Sequence, residues 1–246
     1  MLRCWRPKPT AQLRKLEDDL VKKGVTDQAD GLRRLMGRSA ARWVTVLGSA
    51  PAVGASSITL NLAAALRQQG QQVLLLDEHS RPQAIPERSA GQLVLIDALL
   101  DADGGLSPLA EQADNILLVL RPGAASITAS YACIKRLHYA CPSQRMRLLV
   151  NHAADATEAQ RILATLAATA SRYLALTLES AGCVRADPLL AQAQRLNLTV
   201  VEAFAASAAA LDLRQLAADL LHWPRPASAA VSVAAGHPDQ PLLALH

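Results

Sequence analysis

The chain has 246 residues, 51% of them apolar and 19% charged, enough to bury a full core as one α/β domain with appendages. Its apolar runs stay below the roughly 18 residues of a spanning helix, and residues 1–9 hold no apolar core of a secretory signal, so neither is expected. The net charge of +4 is uneven: residues 1–42 carry 11 Lys/Arg against 5 Asp/Glu, and the other 204 carry 14 against 16, so the basic character belongs to an N-terminal arm.

In chain order, the arm (1–41) comes first. Within it residues 11–23 place Leu13, Leu16, Leu20 and Val21 on one helical face, and a second short helix is expected at 27–37. There Asp27 can serve as N-cap, Asp30 lies in the first turn, and Arg33, Arg34 and Arg38 lie near the end, matching the helix dipole. Leu32, Leu35 and Met36 fall at i, i+3, i+4 as an apolar stripe that suits either its own domain or a partner's groove. Aromatic residues are only 3% of the chain, which removes the base-stacking platform of single-strand binders, and nucleic acid is not an expected partner.

From 42 to 222 apolar runs alternate with helical spacing, the pattern of a mostly parallel, doubly wound sheet. Strands are predicted at 43–48, 72–77, 92–97, 115–120, 145–151 and within 174–180, and helices at 56–69, 125–139, 156–171, 187–195 and 207–221. The strands read as continuous apolar runs, as strands buried on both faces do. Residues 80–91 form a polar loop punctuated by Pro82 and Pro86, and 223–246, rich in proline and small residues, read as a disordered tail. Cys4, Cys133, Cys141 and Cys183 form no Cys-x-x-Cys pair and read as reduced thiols of a cytoplasmic protein.

Residues 44–66 combine an apolar strand, a small-residue loop and an amphipathic helix, the order of a phosphate-binding loop, whose amides and helix N-terminus cradle phosphate while one lysine reaches the terminal phosphates. The position after Gly54, where that lysine belongs, is Ala55. Two predicted strands end in aspartate, Asp77 and Asp97. In doubly wound sheets ligands sit outside the carboxyl ends of strands, so both carboxylates should approach the loop, where such groups serve a magnesium ion. His79, His138, His152, His222, His237 and His246 show no metal-type spacing with one another, so no protein-held metal is assigned.

The loop 49–56, Asn61 to Leu66, Val73 to Asp77, Leu93 to Asp97 and Leu149 to Asn151 together resemble the MinD/ParA group of deviant Walker-A ATPases. That family's loop, Gly-Lys-Gly-Gly-Val-Gly-Lys-Thr, stands here as Ser49-Ala50-Pro51-Ala52-Val53-Gly54-Ala55-Ser56: both lysines are alanine, and Pro51 lacks an amide donor. The resemblance implies a vestigial nucleotide site at Gly54, Ser56, Ser57, Asp77, Asp97 and Asn151, with Ser56 toward Mg²⁺ and Asn151 toward the base. The family's Asp-x-Asp is Asp77-Glu78-His79, and its switch after the third strand is not recognisable at 97–101. Without the lysines we expect no catalytic residues, weak binding of ATP and Mg²⁺ at best, and no meaningful hydrolysis.

Residues 27–36 resemble the Asp-Gln-Ala motif that precedes the ATPase domain in flagellar-number regulators, the FlhG/FleN (YlxH-like) branch. By that resemblance Asp27, Gln28, Leu32, Arg33, Leu35 and Met36 would contact the signal-recognition-type GTPase FlhF, the glutamine promoting GTP hydrolysis, with a flagellar switch or transcriptional regulator as a further partner. Two other readings compete: an ATP-binding family member cycling between cytosol and membrane with Arg42, Arg81 or Arg121 replacing the lysine, and a partition-type protein on DNA. The tail offers no basic amphipathic helix, which argues against membrane attachment.

Overall fold

The computed structural model describes residues 41–80, 91–101, 104–142 and 144–224. Six strands, β1 (Arg42–Gly48), β2 (Val73–Asp77), β3 (Leu93–Ala98), β4 (Asn115–Leu120), β5 (Arg145–Ala153) and β6 (Glu179–Arg185), form one sheet in the order β2-β3-β1-β4-β5-β6. Every neighbouring pair is parallel. Among the described residues six α-helices accompany them: α1 (Ala55–Gln68), α2 (Ala124–Ala140), α3 (Ala156–Leu174), α4 (Pro188–Arg195), α5 (Val200–Ala203) and α6 (Ala208–Leu220). A 3₁₀ turn, Ala110–Gln112, leads into β4.

The two-residue strand period sorts side chains onto opposite faces. Trp43, Leu47, Val94, Ile96, Ile116 and Leu118 join α2 and α3 in one core. Val44, Val46, Leu95, Leu117, Val119 and Leu149 join α1, α4, α5 and α6 in the other. The central strands β3 and β4 are buried at every position, as continuous apolar sequence requires of a sheet covered on both sides. This is the doubly wound parallel sheet expected from the alternation of runs.

Two details depart from expectation. The sixth strand lies at Glu179–Arg185, not within 174–180, because α3 continues to Leu174 and ends at Ala175 in the left-handed region (φ 52°). β6 is an edge strand with half-exposed positions and Gly182 at φ 92°, so it carries no apolar run that would mark it. The four-residue helix α5 was also not expected; it is held by a capping box, in which Thr199 accepts from the Glu202 amide and the Glu202 carboxylate accepts from the Thr199 amide.

The expected arm helices, the loop at 81–90 and the tail from 225 onward lie outside the described residues. At its carboxyl end the packed body runs to Pro224: Trp223 is buried beneath the Arg147 guanidinium, 4.7 Å from the ring centroid, and the Pro224 carbonyl accepts from Asn115 Nδ2 at 3.2 Å.

Candidate functional site

β1 lies between β3 and β4, and the chain winds outward from it in both directions, so the crevice at the carboxyl end of β1 is where a doubly wound sheet accepts ligands. The loop 49–54 fills this crevice. Its start is tied to the sheet by the Ser49 amide donating to the Val119 carbonyl at 2.9 Å, and the Ser49 hydroxyl accepts from Ser130 Oγ at 3.0 Å. Ala52 (φ 60°) and Gly54 (φ 92°) both take left-handed backbone before α1 begins. Glycine is favoured at 54 for a second reason: a Cβ there would stand 2.5 Å from Asn151 Nδ2.

That approach defines what Asn151 does. Its Nδ2 donates to the Val53 carbonyl at 2.9 Å, and its Oδ1 accepts from the His152 amide at 3.0 Å, with the whole side chain buried. As placed, the asparagine clamps the loop. Ser57 also faces protein: its hydroxyl accepts from Gln194 Nε2 at 3.2 Å. Gly54, Ser57 and Asn151 line a cavity of about 370 Å³ with Pro188 and Leu190.

On the other side of the loop the structure gathers Ser56, Asp77 and Asp97. Asp77 and Asp97 are register partners at the ends of β2 and β3. Asp77 is half-buried; Ser80 Oγ donates to it at 2.5 Å and the His79 amide at 2.9 Å, and the Ser80 hydrogen bond leads in holding its carboxyl below the usual range. Asp97 is only 5% exposed. Burial pushes its carboxyl above the usual range, against the pull of the Ser56 hydroxyl and His79. His79 sits between them: its Nε2 lies 3.4 Å from Ser56 Oγ and 3.5 Å from Asp97 Oδ1.

In the sequence His79 stands only as a departure from Asp-x-Asp, and it has no metal-type spacing against the other histidines. The available signal was the single-residue spacing from Asp77 at a strand end. The crevice thus divides the residues expected from the sequence in two, with Ser56, Asp77 and Asp97 on one side of the loop and Ser57 and Asn151 on the other.

Of the replacement cations considered, Arg42 is buried at the start of β1, the opposite end of the strand from the loop, and donates to the Leu220 carbonyl. Arg81 is outside the described residues. Arg121 lines a cavity of about 760 Å³ together with Ala50, Ala52, Val53 and His152. Burial, and then Arg121, holds the His152 imidazole below its usual pKa. The residues expected to face a partner, Asp27, Gln28, Leu32, Arg33, Leu35 and Met36, all lie outside the described residues.

No protein-family model matches the chain. Among curated proteins it is similar to the antiactivator FleN of Pseudomonas aeruginosa, 25% identical over 75% of this chain and 88% of that protein. Among solved structures it is similar to the cell division protein MinD of Aquifex aeolicus (TM-score 0.57, 16% identity, 75% of this chain and 98% of that one). MinD of Pyrococcus horikoshii, complexed with Mg-ADP, matches with a TM-score of 0.53 at 13% identity over 73% of this chain and 96% of that one. The chain has the MinD/ParA-type P-loop fold, and its sequence likeness to FleN lies in the branch that the arm motif resembles.

Proposed function

We propose that this chain is a regulator of flagellar number or placement, built on a MinD-like body that no longer turns over ATP. The observation that carries the reading is the likeness to FleN across three quarters of the chain, a relative named as an antiactivator. An antiactivator opposes an activator, so a transcriptional activator is one partner class. The Asp27–Met36 motif adds a second, the signal-recognition-type GTPase FlhF, contacted through Asp27, Gln28, Leu32, Arg33, Leu35 and Met36. The location proposed is cytoplasmic; among the described residues no helix is long and apolar enough to cross a membrane.

The loop supports the pseudo-ATPase part of the reading. Two alanines replace the lysines, Pro51 offers no N–H, and the Asn151 amide is given to Val53. A charged hydrogen bond to phosphate contributes about 1.5–3 kcal/mol, and the lost lysines remove at least two such donors. These residues do not fit a tightly held magnesium nucleotide, and the body acts as a scaffold that presents the arm.

The test is GTP turnover by an FlhF-type GTPase with and without the full chain. We expect stimulation by the wild type and its loss in Gln28→Ala. Equal rates with wild type, Gln28→Ala and no added chain would remove the activating role.

A further inference from the structure

We propose that Asp77, His79 and Asp97 form a binding site for a divalent transition-metal ion of the zinc class, held without nucleotide and with the Ser56 hydroxyl beside the fourth position. The inference is independent of the partner reading. Its donor set also differs from a magnesium site of the loop type, because a ring nitrogen replaces oxygen.

The geometry carries it. One ligand atom from each of the three residues lies within 4.8 Å of the others. A tetrahedral zinc ion with bonds of about 2.0–2.2 Å separates neighbouring ligand atoms by about 3.4 Å. The His79 Nε2–Asp97 Oδ1 distance is 3.5 Å, and Ser56 Oγ–His79 Nε2 is 3.4 Å. Two edges of the tetrahedron therefore already have the required length.

A second observation is the state of Asp97. Its side chain is 7% exposed, and Oδ1, the oxygen that faces His79, is buried with no hydrogen-bond partner. A buried carboxylate oxygen whose facing donor group, His79 Nε2, stands at 3.5 Å is incompletely satisfied, and a cation at this point would complete it. Asp77 is prepared in a different way. The His79 amide and the Ser80 hydroxyl each donate to one of its oxygens, fixing the carboxylate plane as outer partners of metal ligands do. The ligands come from the adjoining ends of β2 and β3, with Ser56 in the first turn of α1, so a bound ion would join the loop side of the crevice to the sheet edge.

Imidazole with carboxylates favours Zn²⁺, Co²⁺ or Ni²⁺ over Mg²⁺, which prefers six oxygens and keeps its waters. The test uses the full chain, metal-free, titrated with Zn²⁺ by calorimetry and with Co²⁺ by visible absorption, beside His79→Ala, Asp97→Asn and a control, His222→Ala. His79 is exposed, so its variant should fold; circular dichroism checks this, and the His79 result stands even where Asp97→Asn unfolds. We expect one Zn²⁺ per wild-type chain and a tetrahedral Co²⁺ spectrum. His79→Ala should weaken Zn²⁺ by more than about 100-fold, the upper end of what an outer-shell partner alone contributes, and His222→Ala should leave it unchanged. No stoichiometric binding, binding that survives His79→Ala, or displacement of Zn²⁺ by equimolar Mg²⁺ would each overturn the assignment.

Discussion

Gly54→Ala tests whether the loop is clamped by Asn151 in the manner described. Gly54 has φ 92°, and an added Cβ would lie 2.5 Å from Asn151 Nδ2. Left-handed backbone costs a residue with a Cβ about 1–2 kcal/mol. Displacing Asn151 breaks its bond to the Val53 carbonyl inside a buried site, a further loss of about 1–3 kcal/mol. The expected destabilisation is therefore roughly 2–5 kcal/mol. With a urea m-value of about 2 kcal/mol/M, the midpoint should fall by about 1–2.5 M at unchanged m. Gly70→Ala is the control, because Gly70 also has positive φ (78°) but nothing within 4 Å of its Cβ position, so it should cost the strain alone. In the double variant Gly54→Ala/Asn151→Ala the collision disappears, and its cost should fall short of the sum of the singles by about 1–2 kcal/mol. Additive singles, or a Gly54→Ala no worse than Gly70→Ala, would refute the clamp.

Three further outcomes follow from other contacts. Asn61 is buried, its Oδ1 accepting from the Val200 amide at 2.7 Å and its Nδ2 donating to the Ser57 carbonyl at 2.7 Å; Asn61→Ala should cost about 1–3 kcal/mol by urea unfolding. Burial raises the Asp187 carboxyl, but the amides of Ala209 and Leu189 outweigh it and leave the group below its usual pKa. Its contribution is thus full above the unfolded value near 3.9 and lost as pH falls through the lower folded value, so the stability gap between wild type and Asp187→Asn should narrow from pH 5 toward pH 3. The Cys133 thiol, fully buried, is pushed up to about 11, so mass mapping after thiol labelling at pH 8 should find it unmodified until denaturant is added.

The sheet was legible because its interior strands are covered on both faces. Leu93 to Ile96 and Ile116 to Leu120 have no polar position to blur the run, and their limits in the structure fall within a residue of the predicted ones. β6 was misplaced because an edge strand with exposed Ser180 and Gly182 has a weaker apolar signal than the Leu174–Leu178 stretch before it, which instead ends α3 and forms the connection. Helix α5 is too short for a 3.6-residue period to register, and only the Thr199/Glu202 spacing marks it. At the site, the two strand-end aspartates were readable as a convergent pair because parallel neighbours bring equivalent ends together. The use of Asn151 to hold the loop, and the insertion of His79 between Ser56 and Asp97, depend on side-chain directions from three separate elements and leave no pattern along the chain.

The central claim is that a P-loop fold persists here without its phosphate chemistry, and the most direct measurement is steady-state phosphate release from ATP and Mg²⁺ by the full chain beside an intact MinD-type ATPase. The account predicts release indistinguishable from the no-protein background. Turnover comparable to the intact enzyme, and abolished by Ser56→Ala, would contradict it.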